Sequence, residues 1–459
     1  MNTDSFAIDH DKELLKKRRL WYVLALALFV LSLVVQQPLV FLAALFTLVI
    51  GLVPELWYRH ALRHLVIRQQ LSQQHLFFGE ELTLTMSIEN QKLLPLPWLH
   101  IVNDITPSLP ILARQDTQLE KITQIANTWS LWSFQRVTRR YRMRCYARGF
   151  HTFGPVTLSS SDPFGWLERE AWVPTCETLL VYPLIAPLEA FGLSSIHPFG
   201  EEATSRHLLE DPLRAAGVRE YQLGDDPRRI HWKATAHAAT LRSKIYEYSN
   251  QRRILLLLDT SNYARAWMGI DREIHELTIT VAASLAVWAL DEGYMVGLLA
   301  NSAVMTSLYE RSSQNIMKHT SKTSEISAPG VSVPFALDHG QYERLLSLLA
   351  RLAPYENIPL ENIIDREDAM FSLGTTVILV SEGTTLTAAT VERLLDLRTR
   401  GLAIHLALTG DLEGKSMTGT YDLPVHYLGG RRKWHELIKN FADEKSQAID
   451  RGSVHFQLD

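Results

Sequence analysis

The chain has 459 residues, 46 Lys plus Arg against 50 Asp plus Glu, and a formal net charge of −4. That length exceeds one ordinary core and points to about three structural units. The balanced charge excludes a general electrostatic pull toward nucleic acid, and two cysteines, Cys145 and Cys176, exclude a disulfide framework or a cysteine metal cluster and fit a reducing compartment.

The cytoplasmic N-terminus, residues 1–19, ends in Lys16, Lys17, Arg18 and Arg19. Residues 20–35 are almost purely apolar, Gln36-Gln37-Pro38 interrupts them, and residues 39–53 are apolar again. Each arm spans roughly 23 Å at about 1.5 Å per residue, and interfacial Trp21 and Trp57 with snorkelling Arg19 and Arg59 extend it toward the ~30 Å hydrocarbon core. The pattern predicts a transmembrane helical hairpin over 20–58. Arg59, Arg63 and Arg68 follow it and the turn carries no charge, so the positive-inside rule puts both ends in the cytoplasm. The expectation is a multi-pass protein of the cytoplasmic (inner) membrane with the bulk of the chain in the cytoplasm. No small-residue cleavage site follows the double-length run, which argues against a signal peptide.

From 65 to 190 the pattern is short strands and turns. ELTLTMSIEN (81–90) and VTRRYRMRCYARG (137–149) alternate apolar and polar residues, and FGPVTLSSSDPFGW (153–166) adds a strand and an Asp162-Pro163 turn. Pro95, Pro97, Pro107 and Pro110 forbid long helices between them. The segment reads as a β-sandwich. The cations within 136–148 mostly alternate with apolar residues, as on a solvated strand face rather than a nucleic-acid patch.

Residues 191–250 read as a connecting segment, and residues 251–430 as a doubly wound α/β domain. ILLLLDT (254–260), YMVGLLAN (294–301), TTVILVSEG (375–383) and LAIHLALTG (402–410) are buried strands. Helical patterns at 273–293, 341–354 and 386–401 alternate with them. The polar stretch 312–330 reads as a mobile loop, and 431–459 as a C-terminal helix and tail. No repeat, phosphate loop or dinucleotide fingerprint is present.

The densest cluster of functional groups is GVREYQLGDDPRRIHWKAT, residues 217–235. Asp226-Pro227 reads as an N-cap followed by Pro at the first helical position, predicting a short helix over 228–237 with Arg228, Trp232 and Thr235 on one face. Asp225 and Asp226 are placed to pair with Arg228 or Arg229, and His231 to serve as a base or a buried hydrogen-bonder. The candidate catalytic residues are Asp225, Asp226 and His231. The candidate binding residues are Arg219, Tyr221, Asp225, Arg228, His231, Trp232 and Lys233. A purely structural alternative is a capped, salt-bridged helix docked on the sheet by Trp232. A second constellation, Asp259-Thr260-Ser261-Asn262-Tyr263, ends the first α/β strand, where open sheets bind ligands. Asp259 and Ser261 offer hard oxygen ligands for Mg²⁺, and Glu382 joins them if the two strands are neighbours.

The ordered set ARGFHTFGPVTLSSSDPFGW, REYQLGDDPRRIHWKATA and LRSKIYEYSNQRRILLLLDTS resembles the bacterial domain-of-unknown-function 58 family, and the likeness covers nearly the whole chain. The resemblance implies a membrane-tethered protein with a von Willebrand factor A-like domain facing the cytoplasm. Such proteins are found alongside MoxR-type AAA+ ATPases and other von Willebrand A proteins. It also implies a metal-ion-dependent adhesion site, built on Asp-x-Ser-x-Ser with a later Thr and Asp. Asp259 and Ser261 match its first two positions, but Tyr263 replaces the second Ser, the LDHG loop offers no Thr, and Ser381-Glu382-Gly383 stands where Asp-Gly is expected. The implied site is degenerate.

Two functions remain open at this level. One is a membrane-anchored scaffold or adaptor, acting with a MoxR-type ATPase in assembly or maturation of other proteins. The other is a metal-assisted hydrolase using Asp225, Asp226 and His231.

Overall fold

The structure is a computed structural model that describes residues 11–112, 119–162, 165, 168–194, 198, 209–222, 225–249, 252–261, 270–304, 330–353, 358–411 and 423–452. The chain is a mixed α/β protein of two compact units, Met1–Tyr182 and Pro183–Asp459. Among the described residues both cysteines are free thiols.

The first unit opens with helices α1 (Asp11–Val35) and α2 (Pro38–His60). The polar break separates them as the sequence predicts. Gln36 takes a left-handed φ of 54°, and Pro38 occupies the first helical position of α2, where its missing N–H is no loss. Helix α2 is long and apolar enough to cross a membrane, with a mean hydropathy of 2.4, while the apolar stretch Trp21–Val35 of α1 is shorter. Leu39, Phe41, Leu42, Leu45, Phe46 and Leu52 of α2 all lie exposed.

Strands follow: β1 (Leu65–Leu71), β2 (His75–Leu76), β3 (Glu81–Asn90), β4 (Leu96–Leu112), β5 (Leu119–Leu131), β6 (Arg136–Arg144), β7 (Gly149–Ser161), β8 (Glu168–Val173) and β9 (Glu177–Val181). They form a three-stranded sheet, β1-β3-β6, and a six-stranded sheet, β2-β9-β7-β4-β5 with β8 on β7. Alternation places Leu82, Leu84, Met86 and Ile88 of β3 inward. There Met86 and Ile88 meet Leu99 and Ile101 of β4 and Trp129 of β5 in one core, so the two sheets pack face to face. Trp57, Ala61 and Leu62, at and just past the end of α2, belong to that same core.

The second unit contains an antiparallel ribbon of β10 (Leu209–Glu220) and β11 (Arg242–Ser249), joined through the short helix α3 (Trp232–Ala238). It continues with β12 (Arg253–Leu258), α4 (Arg272–Asp291), β13 (Met295–Ala300), β14 (Val331–Ala336), α5 (His339–Arg351), α6 (Leu360–Arg366), β15 (Thr375–Glu382), α7 (Ala388–Thr399), β16 (Ala403–Thr409), β17 (Val425–Tyr427) and α8 (Arg431–Gly452). The sheet order is β14-β13-β12-β15-β16-β17, and only β14 runs antiparallel to its neighbour. Every side chain from Ile254 to Leu258 is buried, as a central parallel strand requires, and each such leucine contributes roughly 2 kcal/mol. Helix α4 is also long and apolar enough to cross a membrane, but it is mostly buried. It is a core helix of this sheet.

Chain order reverses between β12 and β15, so the carboxyl ends of these two strands flank the crevice where doubly wound sheets bind ligands. The segment 312–329 and residues Asn262 and Tyr263 lie outside the described residues.

Candidate functional site

The 217–235 cluster builds the closed end of the β10–β11 ribbon. The single helix expected over 228–237 does not form. A 3₁₀ turn covers Pro227–Arg229, the chain extends at Ile230 and His231, and α3 starts at Trp232. The cause is a tertiary pairing: Ile230 bridges to Ser243 of β11, and the His231 N–H donates to the Arg242 carbonyl at 2.8 Å.

Within this end, each acid–base candidate holds backbone in place. Asp226 caps the turn as expected, accepting from the Arg228 N–H at 2.9 Å. His231 is the N-cap of α3, its Nδ1 accepting from the Ala234 N–H at 3.0 Å. Asp225 accepts from Arg219 Nη2 at 2.6 Å and from the Gln222 N–H at 3.0 Å, and the Tyr221 hydroxyl donates to its backbone carbonyl at 3.0 Å. The guanidinium of Arg219, then the Gln222 N–H, hold the Asp225 carboxyl below the usual carboxylate range. Its closest cation is Arg219, and the expected Arg229 also contributes its charge to Asp225. Trp232 does not dock on the sheet; it is 69% exposed, with Arg228 and Lys233 also at the surface.

The second constellation lies at the carboxyl edge. Asp259 is buried between β12 and β15. Its Oδ1 accepts from the Ser261 N–H at 3.0 Å and from Asn301 Nδ2 at 2.7 Å. Its Oδ2 accepts from the hydroxyls of Ser381 at 3.0 Å and Thr385 at 3.4 Å. Asn301 Nδ2 also donates to Ser261 Oγ at 3.3 Å, and Asn301 Oδ1 accepts from the Thr260 N–H and hydroxyl at 2.8 and 2.9 Å. The Asn301 amide thus stands between Asp259 and Ser261, the two groups that a divalent cation would bridge. Among the described residues no three His, Cys, Asp or Glu side chains converge to hold a metal. This donor arrangement does not fit bound Mg²⁺ without displacing Asn301.

Glu382 ends β15 beside this cluster. Its Oε1 accepts from the Thr384 hydroxyl at 3.0 Å, and its buried Oε2 has no hydrogen-bond partner among the described residues. Burial pushes its carboxyl up to about 7, against the Thr384 bond and with the charges of Asp271, Asp259 and Asp411. Asp271 caps α4 through the Glu273 and Ile274 N–H groups, and Arg431 of α8 ion-pairs with both Asp271 and Asp411. Asn301, Thr385, Asp271, Asp411 and Arg431 went unmarked in the sequence. The sequence signal for Asn301 and Asp411 is no more than their being polar residues just past β13 and β16. Asp225, Asp226 and His231 share no hydrogen bond or ion pair with Asp259.

The braced ribbon and the first βαβ passage of the sheet together carry a recognisable signature. Residues 217–330 match the family model described as protein of unknown function DUF58. The DUF58 match therefore begins within the cluster and runs through β12, α4 and β13. The chain is also similar to the uncharacterized protein YeaD of Bacillus subtilis (strain 168), with 24% identity over 247 residues. That similarity covers 52% of this chain and 56% of YeaD, so the chain spans about half the length of this relative. Among solved structures, similarities include a CARDB domain from Pyrococcus furiosus (9% identity, 26% of this chain, 91% of that one, TM-score 0.17). They also include Spo0M, a sporulation control protein of Bacillus subtilis (10%, 26% and 49%, TM-score 0.17), and the C-terminal domain of wzt (7%, 26% and 73%, TM-score 0.19). At these scores none carries an argument beyond the DUF58 match.

Proposed function

We propose that this protein is a membrane-anchored, cytoplasm-facing scaffold or adaptor that binds other proteins through the end of its β10–β11 ribbon. The reading includes a von Willebrand factor A-like identity for the α/β unit and a MoxR-type AAA+ ATPase as partner. The observation that carries it is Trp232, 69% exposed on a helix whose neighbours Asp225, Asp226 and His231 are engaged in bracing backbone. An exposed tryptophan flanked by Arg228 and Lys233 has the composition of an interface hot spot. The sheet order, with one antiparallel edge strand, supports the von Willebrand A assignment, and the apolar helices α1 and α2 support the anchor.

The test is a photo-crosslinking amino acid placed at Trp232 in the full chain in bacterial cells. The reading expects an AAA+ ATPase among the adducts, lost when Arg228 and Lys233 are replaced by Ala. Adducts to lipid alone, or none, overturn it.

A further inference from the structure

The loop tips at the α2 end of the β-sandwich are more apolar than a solvent-facing turn has reason to be. Leu93 is 77% exposed, Trp132 72% and Phe134 68%. Phe134 also adopts a φ of 55°, a left-handed conformation that turns normally give to Gly or Asn and that is strained for a bulky side chain. The turn therefore accepts strain while holding an aromatic ring out of the core.

These tips are tied to the end of α2. The Ser133 hydroxyl donates to the Leu93 carbonyl and the Phe134 N–H to the Lys92 carbonyl, joining the two loops. Lys92 Nζ donates to the carbonyls of Ala61 and, at 2.9 Å, Arg63, and the Gln91 N–H donates to the His64 carbonyl at 3.0 Å. The start of β1, the end of β3 and the start of β6 all lie at this end, as the pairs Leu65–Asn90 and Glu89–Arg136 show. Upstream, the exposed apolar side chains of α2 run from Leu39 to Leu56 and stop at Trp57, which is buried in the sandwich core. At about 1.5 Å per residue that stretch is roughly 27 Å long, close to the ~30 Å hydrocarbon thickness. The sandwich thus begins where the apolar surface of α2 ends, and Arg59 and Arg63 are exposed at that level.

We propose that Leu93, Trp132 and Phe134 seat the β-sandwich in the interface of the bilayer that α2 crosses, with Arg59 and Arg63 against anionic headgroups. This rests on the membrane-anchored reading above. Tryptophan and phenylalanine favour that interface, and basic residues at its rim gain from anionic lipid. The consequence is a unit held close against the membrane rather than swinging on a tether.

The test uses the full chain in phosphatidylcholine–phosphatidylglycerol liposomes. Exposed Cys176 is replaced by Ser; Cys145 is buried, and burial pushes its thiol up to about 12, so it does not label. Nitroxides are placed one at a time through Leu93→Cys, Trp132→Cys, Phe134→Cys, Leu45→Cys in α2, and Gln73→Cys at the opposite end of the sheet. Collision with oxygen, which partitions into lipid, is compared with collision with an aqueous nickel chelate. The expected result is an oxygen-to-nickel ratio at the three tips severalfold above that at Gln73. Tips as nickel-accessible as Gln73, with Leu45 in lipid, overturn this proposal and leave the anchor standing. A nickel-accessible Leu45 overturns the anchor itself. Tips shielded from both reagents indicate a protein contact, such as a second copy, and also overturn the proposal. Leu93→Cys lies outside the 132–135 turn and keeps the test decisive if labels there disturb it.

Discussion

The Asn301 side-chain amide lies 2.7 Å from Asp259 Oδ1 and 3.3 Å from Ser261 Oγ, supplying positive hydrogens between the two oxygens. Its carbonyl oxygen accepts from the Thr260 N–H and hydroxyl. One buried side chain therefore satisfies both sides of the β12 terminus. Asn301→Ala leaves the Asp259 carboxylate and the Thr260 N–H short of partners, at about 1–3 kcal/mol for each buried group. The expected outcome is a loss of roughly 3 kcal/mol in denaturant unfolding. Asn301→Asp places a second carboxylate beside Asp259, so its melting temperature should be lower than native without Mg²⁺ and should rise on adding millimolar Mg²⁺, whereas the native chain should show no such rise. A native chain stabilised equally by Mg²⁺ contradicts the Asn301 account.

Glu382 gives the α/β unit a pH dependence with a definite sign. Burial first, and then the nearby carboxylates, raise its folded pKa from 4.5 to about 7. A raised carboxyl pKa means the folded state binds the proton more tightly. Its contribution is full below pH 4.5, falls as pH rises through about 7, and is flat above. Glu382→Gln keeps the shape and removes the titration. At about 1.4 kcal/mol per tenfold change in proton affinity, the variant should exceed the native chain by on the order of 3 kcal/mol at pH 8. The two should converge near pH 4.5, read by denaturant unfolding at each pH. Parallel stability curves would count against a buried, protonated Glu382.

Much of the architecture was legible because burial imposes period. The alternation of 81–90 marks β3, and the unbroken apolar runs of 254–258 and 377–380 mark central parallel strands. The break at Gln36-Gln37-Pro38 separates α1 from α2. What was not legible depends on partners distant in sequence. Ile230 follows a good helix start, yet its bridge to Ser243 breaks the expected helix and turns His231 into a cap. Strand β10 carries register shifts around Ala215 and Gly217, which erase the period of two and leave the ribbon reading as a connector. Asn301 has no motif of its own; only the parallel pairing of β12 with β13 brings it to Asp259.

His231 offers a substitution that separates chemistry from capping. If its role is to accept the Ala234 N–H, asparagine, a strong N-cap residue, replaces it and alanine does not. His231→Ala should lower stability by about 1 kcal/mol, and His231→Asn should recover most of that. Partner capture through the ribbon should follow the same order, since both depend on α3 being held. A general base would respond differently, with Asn as inactive as Ala in any turnover assay. Hydrogen exchange of the α3 amides in the two variants is the direct readout, and equal protection in both contradicts the capping role.

Trp232 tests the binding reading from the opposite direction, because its exposure means that folding gains little from it. Replacing an exposed side chain that makes no structural contact changes stability by no more than about 0.5 kcal/mol. Losing an interface hot spot costs about 2 kcal/mol or more in association, roughly thirtyfold in affinity. Trp232→Ala should therefore leave the melting temperature near its native value while weakening capture of the proposed AAA+ partner by about that factor. Arg228→Ala should cost less, because a charge at the edge of a contact is screened by salt, and its effect should shrink as ionic strength rises. A Trp232→Ala chain that melts several degrees lower with capture intact would assign the ring to packing and move the binding surface elsewhere.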